Sequence, residues 1–245
     1  MNQQSPTVVT VPCFSGAPWD LQSLGPLGRR PLRTMRLPEA IDDIESYADF
    51  LQRQVADLDR YVLVGDSFGA VVALALTVRR PAGLEALVLS GGFAANPVTT
   101  AVARAKIKAA RFLPGPFYRN VVLRMHAAAL ESPFDATAEV PLTPSGTRDL
   151  FLANTPRQSY VARGAAALRA DYADRLDQVD VPTLILTPEH DTLIGEDAAT
   201  RLRTGIPDAV EHVLPRTGHM FRFTHPTLYA SHVEEFLSSR VRVGR

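Results

Sequence analysis

One stretch limits what this chain can fold into more than any other. Tyr61 to Leu76 reads Tyr-Val-Leu-Val-Gly-Asp-Ser-Phe-Gly-Ala-Val-Val-Ala-Leu-Ala-Leu. Four strand-forming apolar residues precede Gly65, and an Ala- and Leu-rich run without Gly or Pro follows Gly69 as far as Arg80. No loop separates them. A buried strand must therefore pass into a helix through a very tight turn centred on Ser67.

A turn that sharp drives its central residue to positive φ and brings strand and helix backbones close together. Small residues are then needed two positions before and two after, and Gly65 and Gly69 supply them. The geometry lifts the Ser67 hydroxyl clear of the sheet and turns the Phe68 N–H, at the helix start, to the same spot. This is the pattern of a nucleophile elbow. A phosphate-binding turn is the competing reading, but the spacing matches neither the dinucleotide glycine pattern nor a P-loop with its Lys-Ser or Lys-Thr pair.

At 245 residues, 46% hydrophobic and 21% charged, the chain can bury one sizeable core, and one domain with an insertion is expected. Lys+Arg of 26 against Asp+Glu of 26 leaves no net field to attract nucleic acid or an anionic membrane, so neither is an expected partner. The single cysteine, Cys13, excludes an internal disulfide framework and reads as a small buried residue. Met1 to Thr7 is polar without a signal-peptide core, and no apolar run approaches the roughly 18 residues of a membrane span. The expected compartment is the cytoplasm.

Taken in order, Val8 to Phe14 predicts a first strand, Trp19 to Leu24 a brief helical stretch, and Leu32 to Leu37 an edge strand carrying arginines. Ile41, Ile44, Ala48, Leu51, Val55 and Leu58 step by three and four, an amphipathic helix. After the elbow come a strand at Leu84 to Leu89, another at Thr183 to Thr187, a helix at Glu196 to Thr204, a strand at Val210 to Leu214 and a closing helix from Pro226 to about Ser239. Alternating strands and helices imply an α/β fold, a mostly parallel sheet covered on both faces. Residues 93–174 hold helical pieces and prolines without a clear strand, too long for a loop. The expected division is a core of residues 1–92 and 175–245 with a helical cap of residues 93–174 inserted into it.

A serine hydroxyl is a weak nucleophile at neutral pH and needs a base, which in turn needs an orienting group. Of the six histidines, His219 follows the Val210 to Leu214 strand in a loop, at the carboxyl end of the sheet where Ser67 also emerges. His225 precedes Pro226 at a helix start, His126 and His232 fall in helical patterns, and His212 lies in a strand. The orienting carboxylate is expected just beyond the Thr183 to Thr187 strand, where Glu189 and Asp191 both stand; Asp191 is preferred. A metal site of His190, Asp191 and His219 lacks any zinc spacing. A purely loop-capping aspartate is the bland alternative for Asp191.

Gly65-Asp66-Ser67-Phe68-Gly69, then Pro182-Thr183-Leu184-Ile185 with Asp191, then Gly218-His219 with His225-Pro226 six residues on, resemble the α/β-hydrolase superfamily in kind and in order. They are closest in pattern to its capped esterases and carbon–carbon-bond hydrolases, and the resemblance covers most of Val8 to Ser239 outside the cap. It implies the α/β-hydrolase fold and a Ser67–His219–Asp191 triad acting without a cofactor. It also implies an oxyanion hole from the N–H groups of Phe14 and Phe68. Two departures stand out. The strand hairpin common at the start of the family is missing, which predicts a sheet of about six strands, and Pro12-Cys13 occupies the place of the usual His-Gly.

Serine at the elbow, where dehalogenases and epoxide hydrolases of this fold carry Asp, implies acyl transfer to water through an ester intermediate. The expected activity is hydrolysis of small-molecule carboxylic esters, with a carbon–carbon-bond hydrolase or thioesterase as the alternative. A non-catalytic small-molecule receptor is the reading from another class. Two expectations attach to the cap. Phe112 to Tyr118 forms either the wall of an acyl pocket or cap core. Arg104, Lys106, Lys108, Arg111, Arg119 and Arg124, with no acid between Pro97 and Leu130, form either a solvated helix face or a docking surface for an acidic substrate or acyl-carrier partner.

Overall fold

The computed structural model describes residues 5–20, 24, 27–97, 104–105, 107 and 109–241. Six strands, β1 (Thr7–Val11), β2 (Leu32–Thr34), β3 (Tyr61–Asp66), β4 (Leu84–Ser90), β5 (Thr183–His190) and β6 (Ala209–Gly218), form one sheet in the order β2-β1-β3-β4-β5-β6. Every neighbouring pair is parallel. This is the α/β-hydrolase fold with six strands and no leading hairpin among the described residues. The chain runs outward from β1 to β2, then returns past β1 to β3, so the strand order reverses between β1 and β3. In open parallel sheets, ligands bind at the carboxyl ends of the strands beside such a reversal.

The pattern of side chains explains the layers. In β3 all six residues are buried, with Leu63 facing one apolar cluster and Val62 and Val64 the other. On the first face lie the helices α1 (Ile44–Val55) and α2 (Phe68–Thr77). Asp43 caps α1 by accepting from the Ser46 N–H at 2.7 Å, and the helix buries Ile44, Tyr47, Ala48, Leu51 and Val55. All ten residues of α2 are buried, which explains its apolar composition all round. On the other face, α7 (Pro226–Arg240) packs Tyr229, Ala230, Val233, Phe236 and Leu237 against the sheet.

Between β4 and β5 the chain leaves the sheet for the helices α3 (Leu123–Ala129), α4 (Pro144–Asn154) and α5 (Arg157–Arg169). The two ends of this excursion are tied by a bridge between Ala95 and Asp171, with Tyr172 N–H donating to the Ala94 carbonyl at 2.8 Å. Tyr118, Leu123, Leu130, Phe151 and Tyr160 make a small apolar cluster of their own, closed below by Met220 of the sheet domain. Helix α6 (Glu196–Gly205) connects β5 to β6.

Most differences from the sequence reading lie at element ends. The first strand stops at Val11, ahead of the Cys13 to Gly16 turn, and α1 begins at its Asp43 cap rather than at Ile41. β2 is a short edge strand ending at Thr34. The helical stretch expected from Trp19 is absent at Trp19 and Asp20, which are irregular; residues 21–23 of that expectation lie outside the described residues. Trp19 is buried under the sheet instead, against Tyr229. β5 and β6 run three and four residues further than expected, because paired backbone carries them past the end of their apolar runs.

Helix α2 approaches β1 so closely that Gly69 has no room for a side chain. A methyl group there would meet the carbonyl oxygen of Val11 and, at 2.5 Å, that of Pro12. Gly69→Ala is expected to cost about 3 kcal/mol or more in urea unfolding, since backbone cannot move aside as a flexible side chain would. Gly195→Ala, where nothing lies within 4 Å of the added methyl, should stay within about 0.5 kcal/mol.

Candidate active site

Ser67 joins β3 to α2 with φ 53° and ψ −113°, a left-handed conformation rare for a residue with a side chain. Its N–H is held by the Ser90 carbonyl at 2.7 Å. A methyl on Gly65 would sit 2.5 Å from the Gly69 carbonyl and 2.7 Å from the Ala70 Cα, so the strand-to-helix contact requires glycine there. The strained turn leaves Ser67 Oγ 2.9 Å from Nε2 of His219. His219 directly follows β6, and its Nδ1 lies 2.7 Å from Oδ2 of Asp191, just past β5. Serine, histidine and aspartate thus form one buried hydrogen-bonded chain.

The two carboxylates beyond β5 separate cleanly. Asp191 accepts with Oδ1 from the N–H groups of Leu193 and Ile194, both at 2.9 Å, and turns Oδ2 to the imidazole. The loop-capping role and the orienting role belong to the two oxygens of one residue. Glu189 is exposed, accepts from the Arg216 N–H at 2.7 Å and pairs with His190, away from His219. His190 itself is exposed, its ring against Phe134, and no group of three or more potential metal ligands exists among the described residues. His225 begins α7, and His212 and His232 face each other with Nδ1 atoms 3.0 Å apart, far along the sheet edge.

Phe14 and Phe68 both line the cavity above Ser67. Phe68 is the first residue of α2, so its N–H has no intrahelical acceptor. In the Cys13 to Gly16 turn, the Cys13 carbonyl accepts from the Gly16 N–H at 2.8 Å. A trans peptide holds the Phe14 N–H antiparallel to that carbonyl, so it points out of the opposite side of the turn. The carbonyls of Phe14 and Ser15 are pinned by the buried Arg163 guanidinium, each at 2.9 Å. Cys13 is buried with its thiol pushed up by burial and by the charge of Asp66, so it is an inert packing residue.

A second charged pair lies beside the chain. Arg222 Nε donates to Asp66 Oδ2 at 2.6 Å, with both side chains at most 6% exposed. The guanidinium is sandwiched between Trp19 and Phe223, at 4.1 and 3.9 Å from their ring centres. Asp66 occupies a variable position of the elbow motif, and the sequence reading passed over both residues. No local signal pairs them: Arg222 lies in the four-residue helix Phe221–Thr224, 156 positions from Asp66. Burial works to lower the pKa of His219, but the charge and hydrogen bond of Asp191 and the charge of Asp66 outweigh it and leave it raised.

The cavity over Ser67 measures about 190 Å³ and is walled by Phe93, Ile107, Leu130, Phe151, Ile194 and Phe223 besides the residues named above. Among the described residues lining it, none is Lys or Arg. Of the two readings of Phe112 to Tyr118, the pocket wall does not hold, since none of these residues lines the cavity, and cap core holds for Tyr118, while Phe112 is 74% exposed and Phe117 is exposed. The cap wall comes from α3, α4 and α5 instead, through His126, Phe151 and Tyr160. Of the basic cap residues, Arg104, Arg111, Arg119 and Arg124 are exposed on its outer side, and Lys106 and Lys108 lie outside the described residues.

An elbow-borne serine at the carboxyl edge of a parallel sheet, with histidine and acid supplied by later strand ends, defines a class of α/β protein rather than one member of it. The chain matches the family model described as the alpha/beta hydrolase family over residues 8–232, and it belongs to that family. Among its relatives is the 2-hydroxy-6-oxononadienedioate/2-hydroxy-6-oxononatrienedioate hydrolase of Cupriavidus pinatubonensis, 25% identical over 186 residues, 75% of this chain and 64% of the relative. Another is the 2-hydroxymuconate semialdehyde hydrolase of Pseudomonas putida, 29% identical over 182 residues, 72% of this chain and 62% of the relative. The chain therefore spans less than two thirds of the length of these relatives. A crystal structure of a hydrolase from Pseudomonas aeruginosa superposes with a TM-score of 0.81 at 19% identity, covering 95% of this chain and 90% of the other, a likeness of fold. No helix among the described residues is long and apolar enough to cross a membrane.

Removing the cation of the buried pair should show in two ways. Arg222→Met leaves Asp66 buried and unpaired, with an expected loss of about 3–5 kcal/mol in urea unfolding. If His219 serves as a base, activity falls as it becomes protonated, so the acid limb of kcat/KM should lie above pH 6.5, the ordinary value from which His219 is raised. With Asp66 uncompensated the limb should move further up in Arg222→Met, and in Asp66→Asn it should move down.

Proposed function

We propose that this protein is a serine hydrolase that cleaves carboxylic esters of uncharged, largely apolar acyl groups. The observation that carries the reading is the Ser67–His219–Asp191 chain, with contacts of 2.9 and 2.7 Å, opening into a cavity whose described lining has no Lys or Arg. In this reading Ser67 Oγ attacks the carbonyl carbon while Nε2 of His219 takes its proton. Asp191 accepts from Nδ1–H, fixing the tautomer that leaves Nε2 free to act as base. The N–H groups of Phe68 and Phe14 receive the negative charge that develops on the carbonyl oxygen. His219 then returns the proton to the departing alcohol; water, deprotonated by the same imidazole, attacks the acyl carbon, and the imidazolium gives that proton to Ser67 Oγ as the acid leaves. Each step uses groups of this chain, and the reaction calls for no cofactor.

The charge sandwich has a role in this cycle. An imidazolium forms twice, and Asp66 adds a second negative charge to that of Asp191 in its surroundings. Arg222 keeps that second charge neutralised, so His219 can be stabilised when protonated without being held protonated at rest.

The size of the cavity limits the acyl group. Apolar cavities of roughly 150 Å³ take up a benzene-sized guest, so about 190 Å³ suits a short chain or a single ring.

Carbon–carbon-bond cleavage with the same residues is the second reading, favoured by the names of the two relatives described above. The name of the first denotes a dicarboxylate. A second carboxylate inside this cavity would meet apolar walls and the carboxylate of Asp66, with Arg222 already engaged. That is why ester cleavage is placed first. For the outer face of the cap, the docking of an acidic substrate or acyl carrier on Arg111, Arg119 and Arg124 stays a separate proposal. It entails activity toward anionic substrates that falls with salt.

Ser67 alone should react with a fluorophosphonate, and Ser67→Ala should abolish labelling without unfolding the protein. Asp191→Asn should lower kcat for 4-nitrophenyl butyrate by about 10⁴, through the wrong imidazole tautomer, while Glu189→Gln stays near wild type. Measured side by side, kcat/KM for 4-nitrophenyl butyrate should exceed that for 2-hydroxymuconate semialdehyde. The opposite order would make the protein a carbon–carbon-bond hydrolase.

A further inference from the structure

The cap reaches the base of the site at one point, the turn that carries Phe14. Arg163, in the middle of α5, is 1% exposed and sends its guanidinium to that turn. Its Nη1 donates to the carbonyls of Phe14 and Ser15, both at 2.9 Å, and its Nη2 to those of Leu37 and Pro38 at 3.5 and 3.4 Å. Thr155, also of the cap, adds its hydroxyl to the Ser15 carbonyl at 3.0 Å. Gly16 makes the room, since it holds φ at 73° and a methyl group on it would run into the guanidinium. No carboxylate among the described residues lies within ion-pair distance of Arg163.

One nitrogen thus holds two successive peptides, Phe14–Ser15 and Ser15–Gly16, through charged hydrogen bonds, the stronger kind. Rotating either peptide would aim an N–H at a buried cation, so both keep their carbonyls on the guanidinium side. The peptide before them, Cys13–Phe14, is then bounded at both ends. Its carbonyl accepts from the Gly16 N–H at 2.8 Å within the same turn, and the plane that follows it is fixed. The N–H of that peptide is the Phe14 donor of the reaction proposed above. A buried cation with no acid beside it is costly in a protein at rest. It is favourable where negative charge appears during reaction, and the bond to the Phe14 carbonyl places the guanidinium within about 7 Å of the Phe14 nitrogen.

Resting on the esterase reading above, we propose that Arg163 is a positioning residue for the oxyanion. It holds the turn in the arrangement that keeps the Phe14 N–H open to the carbonyl oxygen of the substrate, and its charge favours that oxygen as it turns negative. Arg163 does not line the cavity, so it acts on the reaction through the turn and through its field, without touching the substrate. Losing it should weaken the transition state and leave binding of the planar ester nearly as it was.

The test compares Arg163→Met and Arg163→Lys with the wild type, using 4-nitrophenyl butyrate and butaneboronic acid. The tetrahedral adduct of the boronic acid on Ser67 puts a negative oxygen where the oxyanion stands. Arg163→Met should lower kcat by about 10²-fold, the loss of one oxyanion donor, with KM within about threefold of the wild type. Its Ki for the boronic acid should rise by a similar factor. The acid limb of kcat/KM should keep its pH, because the charges acting on His219 are those of Asp191 and Asp66. Arg163→Lys, which keeps the charge but cannot span four carbonyls, should fall between Arg163→Met and the wild type. A folded Arg163→Met with wild-type kcat and Ki would overturn the proposal. So would a rise in KM alone, or a fall in kcat accompanied by a moved acid limb, since Arg163 would then shape only the cap or the triad. If Arg163→Met shows no cooperative urea transition, Arg163→Lys and Thr155→Val decide. Each should lower kcat and boronic acid affinity together by about fivefold, the worth of one hydrogen bond, and unchanged values in both would count against Arg163. These results leave the esterase reading standing. A wild type that neither turns over the butyrate nor is labelled by a fluorophosphonate would overturn that reading, and this proposal with it.

Discussion

The contact on which the site depends is between backbones. Where helix α2 meets β1 and β3, the side chains of Gly65 and Gly69 are missing because no atom fits. That approach forces the chain through positive φ at Ser67, a conformation that costs of order 1–3 kcal/mol and survives because ten buried residues of α2 hold the helix in place. The cost yields geometry. It raises one hydroxyl above the sheet and places the open N–H of the helix start beside it. It also presses α2 against Val11 and Pro12, the residues that lead into the turn containing Phe14. Strand, helix and turn are fixed by one close approach.

Around that point the chain assembles charge with economy. Two carboxylates, Asp191 and Asp66, act on one imidazole, and one guanidinium neutralises the second of them. Buried ion pairs contribute little to stability on balance, since desolvation offsets attraction. The Asp66–Arg222 pair is better understood through what it does to His219. Without Arg222 the histidine would sit beside two unscreened acids. The rings of Trp19 and Phe223 on either face of the guanidinium replace part of its lost hydration, while burial of Trp19 also anchors the segment after β1 beneath the sheet.

The parts legible in the sequence share a property: their signals are local. β3 and α2 announce themselves as an unbroken apolar run around Gly-x-Ser-x-Gly, and the parallel sheet shows in strands buried on both faces. Asp191 and His219 are found because each lies within a few residues of a strand end, and strand ends of one sheet lie together. The choice between Glu189 and Asp191 needed coordinates, since two residues in a loop after a strand face in directions that sequence spacing does not set. Asp66 and Arg222 are 156 positions apart, and nothing in either neighbourhood names the other. The cap resisted reading for a related reason. Its aromatic stretch Phe112 to Tyr118 has the composition of a pocket wall but lies largely in solvent, while the wall comes from three helices whose polar members look like ordinary helix residues.

That asymmetry between sheet and cap has a physical origin. The sheet carries Ser67, His219 and Asp191, whose positions are tied to backbone constraints that few sequences satisfy. The cap is constrained only to close a cavity over these groups and to line it. Phe14 belongs to both. Its backbone stands in the turn after β1, held by Arg163 reaching down from α5, while its ring packs on His126, Tyr160 and Phe68. Arg163 therefore links cap position to the orientation of the peptide at the base of the site. Four carbonyls, those of Phe14, Ser15, Leu37 and Pro38, lie within 3.5 Å of its guanidinium, so a displacement of α5 would be felt in the turn after β1. In the proposed reaction the Phe14 N–H belongs to the preceding peptide, so Arg163 acts on it only through the turn whose next two carbonyls it holds, and through that turn substrate fit at the cap and carbonyl activation are expected to change together.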